Sequence, residues 1–160
     1  KQWEEAVDQI ASLGIRLAKV RIGLVMGAEG GIFPVISKPI RWGLGANLGS
    51  GKQWQSWIHI NDLLRIFNEL LINSSLSGVY NGVAPEPIRA GEMNKQIAKA
   101  LHRPFFLPPI PGFLLRLVLG EMACLVLGGS RVSSAKLEKD ASFSFTFVRF
   151  EEALKEIVHV

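Results

Sequence analysis

Apolar positions divide the chain into alternating helical and extended periods. Trp3, Ala6, Val7 and Ile10 recur at helical spacing, and Gly14 follows as a stop. Residues 15–25 then read as a buried strand, with Val20, Ile22 and Leu24 on one side. Residues 27–31 form a loop, and 33–42 a short helix broken by Pro34 and Pro39. Four glycines between 43 and 51 predict irregular structure. Residues 54–60 alternate as a strand, with Ile58 and Ile60 on one face and Gln55, Trp57 and His59 on the other. Asn61 or Asp62 then caps a helix whose stripe is Leu63, Ile66, Phe67, Leu70 and Leu71. A short strand at 79–83 and a turn at Pro85 and Pro87 precede a helix marked by Met93, Ile97 and Leu101. Further helices are predicted over 113–127, from a Ser133 cap to about Lys139, and along Phe150, Ala153, Leu154, Ile157 and Val158.

Helix, short turn and strand make half of a βαβ unit, so the pattern predicts an α/β chain. The chain has 160 residues, 48% apolar and 20% charged, which excludes disorder and allows one ordinary domain with a small appendage. The net charge is +4, spread evenly over both halves of the sequence. A nucleic-acid binder concentrates its positive charge on one face or segment, so no nucleic-acid partner is expected. The single Cys124 cannot form an internal disulfide, and the opening Lys1-Gln2-Trp3-Glu4-Glu5 lacks a signal-peptide pattern. A cytoplasmic location is the expectation. The missing initiator Met means a processed chain or a piece of a longer one. The most apolar region, 105–129, holds Pro108, Pro109, Pro111, Arg116 and Glu121. A membrane span needs about 20 nearly uncharged residues, so a buried or partner-facing helix is expected there and no membrane partner.

Chemical motifs are sparse. Residues 46–53 have the outline of a phosphate-binding loop, but Ala46 stands where its first glycine belongs and Gln53 where its Ser or Thr belongs. Gly43/Gly45 and Gly49/Gly51 are followed by Leu48 and Trp54 at the third position of the dinucleotide fingerprint. His59, His102 and His159 have no ligand spacing, so no metal is expected. Ser56, His59 and Asp62 are the one triad-like set, but Ser56 lacks the glycine-flanked elbow of a hydrolase nucleophile. His59 is either a pocket residue beside Gln55 and Trp57 or a hydrogen-bonded core histidine.

Four stretches resemble the C-terminal half of an extended short-chain dehydrogenase/reductase of the nucleotide-sugar epimerase-like group. They are Arg21-Ile-Gly-Leu-Val-Met-Gly27; Gly49-Ser-Gly51-Lys-Gln53 with Trp57-Ile-His-Ile-Asn-Asp62; Gly78-Val-Tyr-Asn81 with residues 93–104; and Leu119-Gly-Glu-Met122 with Arg131-Val132. The last is similar to the small C-terminal extension of the YfcH-like branch of epimerase-family proteins. Nearly all of the sequence takes part in the resemblance.

The resemblance implies the C-terminal portion of a Rossmann-type doubly wound fold plus a small, mostly helical extension, divided as 1–103 and 104–160. It implies NAD or NADP in the full-length protein and an acid/base tyrosine whose pKa is lowered by a lysine four residues on. Here the one tyrosine, Tyr80, is followed at that distance by Ala84. No catalytic residue is therefore expected in this chain. Taken alone, it is expected to bind no coenzyme and to be inactive. Ile22 and Gly23 match positions that approach the nicotinamide. Gln53, Gln55, Trp57 and His59 are the expected pocket wall for an unknown small-molecule substrate. Leu24 and Gln55 stand where nucleotide-sugar enzymes place an asparagine and a phosphate-binding arginine, which argues against that substrate class. The alternative is a non-catalytic interaction module using 105–127. Strands cut from a doubly wound sheet leave edges unpaired, so self-association is also expected.

Overall fold

The computed structural model describes residues 14–120 and 127–159. The expected helix at 3–10, and the 121–126 part of the expected 113–127 helix, lie outside these residues. In chain order the elements are β1 (Ala18–Ile22), β2 (Leu24–Met26), α1 (Phe33–Arg41), β3 (Trp54–Gln55), β4 (Trp57–His59), α2 (Ile60–Ile72), β5 (Gly78–Gly82), β6 (Ile88–Arg89), α3 (Ala90–Ala100), α4 (Gly112–Leu119), α5 (Ala135–Ala141) and α6 (Phe150–His159). β1 pairs parallel with β5, in the register Ala18 with Gly78, and β2 pairs parallel with β4, Leu24 opposite Trp57. β3 and β6 form a small antiparallel pair, Trp54 opposite Arg89. This is the mixed α/β architecture that the alternating periods predict.

β2 and β4 are covered on both faces, and neighbouring residues along them enter different cores. Met26 and Trp57 point into a cluster closed by Phe33, Met93, Ile97, Phe150 and Leu154, from α1, α3 and α6. Val25 and Ile58 point the other way, into a cluster with Ile66, Leu70, Tyr80 and Leu137, from α2, β5 and α5. The Trp57 ring meets Phe150 edge-on at 5.2 Å, and its indole N–H donates to the Glu86 carbonyl at 2.8 Å. Each core draws on residues from both sides of position 104, so the C-terminal segment shares the cores of the rest.

Several expectations are corrected. The strand at 15–25 is two strands, split at Gly23, and Ile22 is half exposed. The strand at 54–60 is also split, at Ser56, and Ile60 begins α2. Helix α1 runs unbroken through both prolines: Pro34 sits in the first turn, where an N–H has no helical acceptor, and Pro39 is accommodated within the helix. The cap of α2 is His59, whose Nδ1 accepts from the Asn61 N–H at 3.2 Å. Of the α2 stripe, Leu63, Ile66 and Leu70 are buried, while Phe67 and Leu71 are exposed.

Asp62, expected as a possible cap, is fully buried and holds a distant loop. Its carboxylate accepts from the Thr146 and Phe147 N–H groups at 3.0 and 2.9 Å, and from Arg65 at 2.8 Å. These bonds fix residues 146–147 beside α2 and so set the entry to α6. The far end of α2 has no basic residue in its last turn. Arg16 supplies the charge from outside, donating to the Leu70 and Leu76 carbonyls at 2.8 and 2.9 Å.

Candidate functional site

The chain from Ala18 to Met26 changes partner at Gly23, and the site grows from that change. The Gly23 N–H donates to the Gly82 carbonyl at 3.1 Å, whereas the next N–H, of Leu24, donates to the Ser56 carbonyl at 2.8 Å. The Trp57 carbonyl, pointing the other way, accepts from the Ala84 N–H at 2.6 Å. β4 is thus wedged between β2 and the continuation of β5, and Gly23 lies at the fork. A Cβ on Gly23 would overlap the Ser56 carbonyl oxygen and stand 2.8 Å from Val83 Cγ1. Glycine is required there by close approach of backbone.

An open cleft of about 820 Å³ lies over this fork. Its floor is Arg21, Ile22, Gly23 and Leu24; its walls are Trp54, Gln55 and Ser56, then Asn81 and Val83, and the extended segment 128–133. That segment is strapped down by side chains from the opposite walls. Ser56 Oγ donates to the Ser130 carbonyl at 2.8 Å and accepts from the Val132 N–H at 3.0 Å. Asn81 Nδ2 donates to the Ser133 carbonyl at 2.9 Å. Gly129 lies flat on the Trp54 backbone, where any Cβ would overlap the Trp54 carbonyl.

The cleft's charge is one-sided. Arg21 and Arg131 line it, and none of the described lining residues is acidic. The Arg131 guanidinium lies over the Trp54 ring, 5.3 Å from its centroid. Arg89, across the β3–β6 pair, lies over the same ring at 3.8 Å and donates to the Lys52 carbonyl.

The sequence-predicted site residues separate. Ile22, Gly23 and Gln55 line the cleft. Gln53 does not; its amide donates to the Leu48 carbonyl at 3.0 Å. Trp57 and His59 do share a face, as the alternation predicts, but that face is covered by α6 and both side chains are buried in the core. With Nδ1 of His59 accepting from Asn61, its Nε2 proton goes to Glu156 of α6, at 2.8 Å, and the ring packs on Phe147. Ser56, His59 and Asp62 are each hydrogen-bonded to other groups, which leaves no nucleophilic relay among them. Trp54, Asn81 and the strap residues escaped the sequence reading as pocket residues. The signal they left is the Gly128-Gly129 pair just before Arg131.

Tyr80 faces the core and does not line the cleft. Burial, and then the negative charge of Asp140, push its hydroxyl pKa above the ordinary 10.0. An acid/base tyrosine needs the opposite shift. Among the described residues no cluster of three metal-ligating side chains occurs, and no helix is long and apolar enough to cross a membrane.

Residues 110–157 match a domain of unknown function, DUF1731. Over 158 residues the chain is 40% identical to the chloroplastic homolog of epimerase family protein SDR39U1 from Arabidopsis thaliana, spanning 99% of this chain and 45% of that protein. It is 36% identical over 157 residues to an epimerase family protein of Staphylococcus aureus, spanning 98% and 52%. The human epimerase family protein SDR39U1, solved with NADPH, superposes on 90% of this chain and 48% of its own, with TM-score 0.83 and 35% identity. A nucleoside-diphosphate sugar epimerase from Corynebacterium glutamicum superposes on 98% of this chain and 29% of its own, with TM-score 0.76 and 27% identity. The chain spans about half the length of the curated relatives it matches. By sequence and by fold, it is similar to the C-terminal part of epimerase-family proteins and of their Rossmann-type structure.

Proposed function

We propose that this chain supplies the substrate-side part of an NAD(P)-dependent oxidoreductase or epimerase, and that alone it neither holds the coenzyme nor turns over a substrate. The cleft over the Gly23 fork is the observation that carries this reading. Ile22 and Gly23, which the resemblance aligns with the nicotinamide, form its floor beside Gln55. The likeness to a human relative solved with NADPH supports a nicotinamide coenzyme for the whole protein. Arg21 and Arg131, both in the lining, suit a small-molecule substrate bearing an anionic group. Strong coenzyme binding in such folds comes from backbone N–H groups at a helix N-terminus cradling the pyrophosphate, and the glycine fingerprint for that cradle is missing from this sequence. Millimolar NADPH should therefore leave the melting temperature of the 160-residue chain unchanged; a clear upward shift overturns the reading.

The division at 103/104 is part of the same reading, with 104–160 as the branch's extension built onto shared cores. The cytoplasm is the proposed location, on the strength of the lone Cys124. β1 has one ladder neighbour, β5, among the described strands. Its other edge makes self-association the expected state of the chain at high concentration. A second reading, an interaction module, is favoured by Phe106, Phe113 and Leu117, which are 74%, 69% and 81% exposed. Deleting 104–160 would remove α6 from the core, so Phe113→Ser with Leu117→Ser is the cleaner test. An unchanged sedimentation profile removes that reading.

A further inference from the structure

Among the described residues of the cleft wall Trp54 is the one aromatic side chain, and two cations share it. One of them, Arg89, is tied to the Lys52 carbonyl and sits directly opposite Trp54 in the β3–β6 ladder. That arrangement fixes the indole from its own sheet. The other, Arg131, comes from the strap, whose backbone is pinned by Ser56 on both sides of it, at Ser130 and Val132, and by Gly129 packing on the Trp54 main chain. Backbone and ring together therefore determine where the Arg131 guanidinium stands. An arginine on an exposed segment otherwise loses much side-chain freedom on binding a ligand, and stacking on an aromatic face removes part of that loss in advance.

We infer that Trp54 is a positioning residue: its ring holds the Arg131 guanidinium at the cleft wall, ready for an anionic group of the small molecule that binds there. This rests on the reading of the cleft as the substrate's berth. Trp54 acts through Arg131, and a ring at this position, more than the indole itself, is what the geometry requires.

The test uses inorganic pyrophosphate as the probe, titrated into the 160-residue chain by calorimetry, with side-chain ¹⁵N relaxation of the arginine Nε–H groups as a second readout. The parent chain should bind, and Arg131→Gln should lose binding. Trp54→Leu should weaken it about fivefold, the amount expected of an exposed cation–π contact, and free the Arg131 Nε–H on the picosecond-to-nanosecond scale. Trp54→Phe, which keeps a ring, should restore both affinity and order; a merely structural role would show no such rescue in the Arg131 signal. If Arg131→Gln loses binding while Trp54→Leu binds like the parent with an ordered Arg131, the positioning role is wrong and the cleft reading stands. If the parent does not bind, or Arg131→Gln binds equally well, the cleft reading itself falls and takes the proposal with it.

Discussion

Residues 54–56 and 57–59 are adjacent in sequence and opposite in fate. The first three wall an open cleft; the next three are buried on both faces of a parallel ladder. The difference comes from hydrogen-bond partners more than from composition. β3 pairs antiparallel with the two-residue β6 at the margin of the molecule. β4 is wedged into the fork, where Leu24 lies to one side and Ala84 to the other. Both stretches contain a tryptophan. One fills a core, and the other is a surface for two guanidinium groups. Similar residues thus serve packing or recognition according to which backbone lies beside them.

The contrast is most severely tested by the two tryptophans. Trp57→Ala should destabilise the chain by about 3–5 kcal/mol, because a fully buried indole leaves a cavity. Trp54→Ala should cost about 1 kcal/mol, the loss of exposed cation–π contact. Denaturant melts of both variants check this, and equal losses would break the distinction between the two stretches. Ser56→Ala comes next. It removes two of the three side-chain bonds that fasten the strap and should cost about 1 kcal/mol, with faster hydrogen exchange at the Val132 amide and little change at Ile58.

The smallest effect concerns the same contrast on β5, where Tyr80 faces the core and Asn81 the cleft. Tyr80 has a folded-state pKa raised above 10.0, so the native state holds its proton longer than the unfolded chain does. Its contribution is fully present below pH 10 and is lost as pH rises towards the folded value. Over that window the parent should lose stability more steeply with pH than Tyr80→Phe does. Tyr80 is the chain's one tyrosine, so the difference between the two alkaline melting curves isolates it.

Much of the fold was legible because long periodic stripes announce themselves. The stripes of α3 and α6 bury the residues that their spacing marks: Met93 and Ile97, then Phe150, Ala153, Leu154 and Ile157. Alternation at 54–60 was equally visible but uninformative about the break at Ser56. Each half alternates by itself, and only the third chain segment at the fork reveals the interruption. For the same reason the shared face of Trp57 and His59 was read correctly, and its cover, α6, was not foreseen: Glu156 lies 97 residues from His59. The cleft was half legible. Ile22, Gly23 and Gln55 follow from the resemblance. Trp54 and Asn81 gain their place from contacts with residues 128–133, more than 50 positions away, which no local pattern encodes.

Asp62 carries a consequence for synthesis. The amides that neutralise its carboxylate belong to residues 84 and 85 positions later. While a ribosome is still making the chain, α2 has left the exit tunnel long before those partners exist. Until residues 146 and 147 are made, the carboxylate has only Arg65 and water as partners, so the core around α2 closes no earlier than that.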